Sequence, residues 1–136
     1  MPIKIGELAK CTDVTVETIR YYEKEGLLPE PARSENNYRL YGDGHIERLN
    51  FIRHCRSLDM ALDEIRILLL FRDNPAEDCG DVNALLDEHI SEVEARIKEL
   101  MQLKEHLEVL RQKCTTVAST KSCGILGALA DNSCHE

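Results

Sequence analysis

Apolar residues recur at helical spacing almost from the first residue. Ile5-Gly6-Glu7-Leu8-Ala9-Lys10 predicts a short helix with Leu8 and Ala9 inward, followed by a tight connection, Cys11-Thr12-Asp13. Thr15 is placed to cap a second helix with Val16, Ile19 and Tyr22 or Glu23 on its inner stripe. That helix stops at Glu25-Gly26, glycine being favoured just past a helix end. Two short helices across so short a turn form a helix-turn-helix unit. Next come a polar bend, Arg33-Ser34-Glu35-Asn36-Asn37, and the strand-like Tyr38-Arg39-Leu40-Tyr41. Asparagine tolerates the left-handed backbone of a hairpin tip, so the stretch reads as a small wing at about 31–41. A helix over 43–57 carries Ile46, Leu49, Ile52 and Cys55 on one face, and another from Leu62 to about Arg72 turns Leu62, Ile65, Leu68 and Leu69 inward.

The longest pattern follows. Leu86, Ile90, Val93, Ile97, Leu100, Leu103, Leu107 and Leu110 are separated by steps of 4, 3, 4, 3, 3, 4 and 3, close to the coiled-coil period. Neither Pro nor Gly interrupts 81–113, which predicts one helix of roughly 50 Å at 1.5 Å per residue. So small a chain cannot cover such a helix, and a second copy of itself is the natural partner. Soft breaks at Asp73-Asn74-Pro75 and around Thr115–Ser122 divide the chain into 1–72, 73–113 and 114–136. These read as a block with the helix-turn-helix and wing, a linker with a dimerisation helix, and a short loop, helix and tail.

Composition narrows the class. With 43% hydrophobic and 31% charged residues, and no apolar run beyond Ile67–Phe71, a membrane partner is not expected. The opening Met1–Glu7 lacks the apolar stretch of a secretory signal, so the six cysteines point to a reduced, cytoplasmic setting and to thiolate or metal chemistry. The net charge of −8 argues against nucleic acid only until it is divided: residues 1–60 carry −1, and within 33–56 five arginines (33, 39, 48, 53, 56) face three acids. A locally basic face therefore remains open. Thr15, Thr18, Arg20, Tyr21 and Tyr22 of the second helix can reach DNA phosphates or bases, as can Arg33, Tyr38, Arg39 and Tyr41 of the wing and its base. No nucleophile-plus-base arrangement is evident, so the chain is not expected to be an enzyme.

The stretches Ile5-Gly6-Glu7-Leu8-Ala9, Thr18-Ile19-Arg20-Tyr21-Tyr22-Glu23, Gly26-Leu27-Leu28, Asn37-Tyr38-Arg39-Leu40-Tyr41 and Leu62-Asp63-Glu64-Ile65 resemble the MerR family of metal-responsive transcription activators. The similarity runs through about residue 126. It implies a mainly α protein: a winged helix-turn-helix, a long antiparallel dimerisation helix, and an effector site beyond it. It also implies a homodimer on double-stranded promoter DNA, beside RNA polymerase, that distorts the DNA when effector binds. Asp78-Cys79-Gly80, Val82–Ile90 and Ser122-Cys123-Gly124-Ile125-Leu126 are most similar to the family's lead-responsive branch, with the cadmium-responsive branch next.

The family does not name the effector, so the thiols must. Cys79 and Cys114 flank the long helix and lie too far apart to share an ion within one chain. In the antiparallel pair that the resemblance implies, Cys79 of one subunit meets Cys114 and Cys123 of the other. Three thiolates suit large soft ions: Zn(II) prefers four ligands and Cu(I) is satisfied by two, which leaves Pb(II), Hg(II) and Cd(II), and the resemblance to the lead-responsive branch implies Pb(II), with Cd(II) and Hg(II) as alternatives. Lys113 and Lys121 are placed to offset the net negative site. Cys134, with His135, is a possible further ligand, Cys55 reads as core, and Cys11 has no partner near it in sequence. His89 and His106 are expected to face water or a partner helix. A cytosolic metal-buffering protein is the alternative of another class.

Overall fold

A computed structural model describes residues 2–115, 117 and 120–131. Its elements are α1 (Ile5–Thr12), α2 (Val16–Lys24), β1 (Ala32–Arg33), β2 (Arg39–Leu40), α3 (Asp43–Ser57), α4 (Leu62–Arg72), α5 (Gly80–Gln112), a 3₁₀ turn (Thr120–Ser122) and α6 (Gly124–Ala130). The protein is mainly helical, as expected. Two compact units divide it, Met1–Leu85 and Leu86–Glu136.

In the first unit, local chemistry ends each helix. α1 runs two residues further than its sequence suggests, taking in Cys11, and stops where Asp13 turns left-handed at φ 54°. Thr15 then caps α2, its hydroxyl oxygen accepting from the Thr18 amide at 3.2 Å. Gly26, at φ +77°, reverses the chain after α2, and the Leu27 amide returns to the Tyr22 carbonyl at 2.9 Å. β1 and β2 pair antiparallel, Arg33 opposite Arg39, around a tip where Asn37 takes φ 65°. Ile3 bridges Tyr41 through two 2.8 Å backbone bonds, which brings the start of the chain alongside the wing.

The helices enclose Leu8, Ile19, Leu27, Leu49, Ile52 and Ile65, all fully buried. Each contributes about 1.5–3 kcal/mol relative to an exposed side chain. Cys55 belongs to this core, and burial pushes its thiol up. Of the α4 stripe, Ile65 and Leu69 are buried and Leu62 and Leu68 partly so. The start of α3 is fixed by His45: its Nδ1 accepts from the Gly42 amide and its Nε2 donates to the Pro29 carbonyl, each at 3.1 Å.

α5 is a single helix of 33 residues. Its stripe from Leu86 to Leu107 is 39–55% exposed at every apolar position. His89 departs from expectation: it is buried, with Nδ1 3.8 Å from Glu92 Oε2. A polar residue leaves no mark in an apolar period, so the pattern could not signal this.

Candidate functional site

Two groups of candidate residues emerge, one in each unit. In the first, α2 and the wing frame a groove of about 470 Å³ lined by Lys4, Ile5, Arg20, Arg33, Asn37, Tyr38 and Arg39. A second hollow of about 360 Å³ shares Arg20, Arg33 and Arg39 and adds Lys24. Arg20 is exposed, and Tyr21 and Tyr38 expose 48% and 56% of their surface. Arg33 Nη1 donates to the Asn37 carbonyl at 3.2 Å, which braces the hairpin. Arg39 Nη1 lies 3.4 Å from Glu23 Oε2, so its guanidinium is held but partly neutralised. Thr15 and Thr18 share a 2.8 Å hydroxyl contact at the exposed start of α2. Such a surface presents cations and hydroxyls to a polyanion.

Two residues expected to reach DNA are instead structural. Tyr41 is fully buried; its hydroxyl donates to the Glu23 carboxylate. Burial first, and then that carboxylate, push its pKa up to about 12. Tyr22 is 8% exposed and packs in the core, so the inner-stripe reading of it prevails. Tyr22 and Glu23 both turn inward, and the second is polar because it receives Tyr41 and Arg39.

The basic stretch 33–56 also divides. Arg48 Nε donates to the Leu27 carbonyl at 2.7 Å and its Nη1 to Asp73 at 3.0 Å, while Arg56 donates to the Met60 carbonyl at 2.8 Å. These two arginines tie helices to loops. The cations of the groove come from α2, the wing, and Lys4, which sequence reasoning missed. Lys4 Nζ sits 4.7 Å above the Tyr38 ring. No local signal marks it, because the Ile3–Tyr41 bridge that carries it there joins residues 38 positions apart.

In the second unit, α5 ends at Gln112 and the chain turns back within a few residues. Arg111 Nη1 donates to the Cys114 carbonyl at 2.6 Å, and the Cys123 amide donates to the Thr120 carbonyl at 3.3 Å. Cys114 and Cys123 both line a cleft of about 430 Å³ with Arg111, Lys113 and Ser122. Both are half-buried, and the Cys114 thiol is near enough to favour ionisation of Cys123. Cys123 immediately precedes α6, and its thiol is held below the ordinary range. The backbone amide of Leu126 is the main cause; the Ile125 amide, the Cys114 thiol and the Arg111 charge add to it. Such a thiol is readily deprotonated, which a soft metal requires of its ligand. Cys79, just before α5, is exposed, as is Cys11. Cys134 and His135 lie outside the described residues.

Residues 3–71 match the family described as MerR HTH family regulatory protein, and 46–110 that described as MerR, DNA binding. A ZntR homolog of Haemophilus influenzae, an HTH-type transcriptional regulator, is 48% identical over 111 residues, covering 82% of each chain. The crystal structure of the transcription regulator PbrR691 from Ralstonia metallidurans CH34, in complex with lead(II), is similar at 54% identity. It covers 93% of this chain and 98% of that one, with a TM-score of 0.83. The dual-function regulator MerR of Bacillus megaterium MB1, in complex with mercury(II), is similar at 29% identity, covering 94% and 99%, with a TM-score of 0.71. The chain belongs to the MerR family of helix-turn-helix, metal-responsive transcription regulators.

Proposed function

We propose that this regulator responds to Pb(II), binds promoter DNA as an antiparallel homodimer, and holds the ion between subunits. The ligands in this reading are Cys79 of one subunit with Cys114 and Cys123 of the other. The observation that carries it is the placement of Cys114 and Cys123 on one cleft, while Cys79 stands at the opposite end of α5. Thirty-three helical residues rise roughly 50 Å, so Cys79 can join these two sulfurs only from another chain. The uncovered stripe of α5 supports a self-paired helix as the means of bringing it. The donor set suits a large soft divalent ion, and the lead(II) complex of a 54% identical regulator favours Pb(II) within that class.

On DNA, Arg20, Tyr21, Arg33, Tyr38 and Arg39, with the Thr15–Thr18 hydroxyls, form the reading face, joined by Lys4 and Lys24. Apo and metal-loaded dimers occupy the same palindromic operator, because both half-sites are read by the same helices. Bridging two subunits repositions their reading heads and so changes DNA shape more than affinity. Activation of metal-resistance genes by RNA polymerase in the cytoplasm completes the reading.

The test is a titration of mixed dimers in which one protomer carries Cys79→Ser and the other Cys114→Ser. Sharing between chains leaves one intact site per dimer; finding none would refute it. Competition read from thiolate-to-metal charge-transfer bands then ranks the ions, and displacement of bound Pb(II) by equimolar Cd(II) would overturn the choice of lead.

A further inference from the structure

Among the glycines, Gly124 alone has another backbone segment pressed against it. A Cβ built there would overlap the Lys113 carbonyl oxygen and stand 3.0 Å from the carbonyl carbon and 3.4 Å from the Lys113 Cβ. Its backbone needs no left-handed φ, so the requirement is for space rather than for conformation. Each side of this contact is one residue from a candidate ligand: Lys113 precedes Cys114, and Gly124 follows Cys123. Gly127, in the same short helix, has nothing within 4 Å of its absent Cβ. The lack of a side chain thus matters at one α6 glycine and not at the other.

We propose that Gly124 is a positioning residue of the metal site: its bare backbone lets the chain after α5 close on itself and sets Cys114 and Cys123 side by side before the ion arrives. This rests on the reading of those two cysteines as ligands. Two of the three sulfurs are then preorganised within one chain, and only Cys79 has to be brought by the partner. A side chain at 124 holds the two segments apart, so ion binding has to include the work of closing them. Lys113 offers its backbone to this contact, so the residue type at 113 matters less than that at 124.

The test compares the full-length parent with Gly124→Ala and Gly127→Ala. Metal-free protein is treated with a dithiol-bridging bimane that fluoresces only when both arms have reacted, and the Cys114–Cys123 product is mapped by mass spectrometry. Pb(II) affinity is measured separately by chelator competition, and binding of the apo protein to operator DNA reports an intact fold. Gly124→Ala should slow bridging and weaken Pb(II) binding by about tenfold or more each, with apo operator binding unchanged and Gly127→Ala like the parent. Bridging at the parental rate in Gly124→Ala would overturn the proposal. So would an equal loss in Gly127→Ala, or loss of apo operator binding in Gly124→Ala, since either makes the effect one of general folding. Cys114→Ser serves as the separate control: parental Pb(II) affinity there would refute the ligand reading, while the bridging rates still judge the contact at Gly124.

Discussion

Tyr41 carries a phenol into the centre of the first unit, where its hydroxyl donates to Glu23, which in turn holds Arg39. One carboxylate thereby joins α2 to the base of the wing. Tyr41→Phe keeps the ring and removes the bond, leaving a nearly buried carboxylate short of a donor. Equilibrium unfolding in urea should show a loss of about 1.5–3 kcal/mol, the range for hydrogen bonds to charged groups. The pH dependence has a definite sign. The folded pKa, about 12, is raised above the ordinary 10.0, so this contribution is complete below pH 10 and is lost as pH rises through about 12. Over that window the parent should lose stability more steeply than Tyr41→Phe, and equal slopes would show that Tyr41 is not the group responsible.

The elements differ in how far they stand alone. α2 contains its own start and stop signals, Thr15 and Gly26, and buries a stripe within its unit. α5 has the opposite character: its apolar stripe is long, regular and uncovered from Leu86 to Leu107. Ile97 sits near its middle, 52% exposed, with apolar neighbours at Val93 and Leu100. A glutamate there would be desolvated in any self-paired helix and left unpaired, at a cost of several kcal/mol. Ile97→Glu should weaken dimerisation by about a hundredfold or more. Sedimentation velocity would then show monomer at concentrations where the parent is dimeric, whereas a dimer unchanged by Ile97→Glu would remove α5 as the seam. The wing lies between these cases: Asn37 supplies its left-handed turn locally, but the direction of its tyrosines depends on what packs beneath.

At the scale of the whole molecule, the proposed function divides between a basic groove in the first unit and a thiol cleft in the second. The groove is assembled from separate stretches of chain, Lys4 from the beginning, Arg20 from α2 and Arg33 and Arg39 from the hairpin. Lys4→Ala tests that assembly. Its interaction with Tyr38 is an exposed one of about 0.5–1 kcal/mol, so folding should change little. Operator binding followed against salt should show the slope of log K on log salt reduced by about 0.9 in magnitude, the share of a single neutralised phosphate. An unchanged slope would remove Lys4 from the face.

The helices, their caps and the apolar stripe of α5 were legible in the sequence because they rest on short-range rules: periods near 3.6 and 3.5, a capping hydroxyl, a glycine past a helix end. The core position of Cys55 was legible for the same reason, since it lies on the apolar stripe of α3. Tertiary structure decided the matters that depend on where distant segments meet. It turned Tyr41 inward towards Glu23, gave Arg48 to Leu27 and Asp73, and brought Lys4 beside Tyr38. It also set Gly124 against Lys113. None of these has a local signature, because a juxtaposition is a property of the closed path of the backbone, and the same residues on another path would have other neighbours.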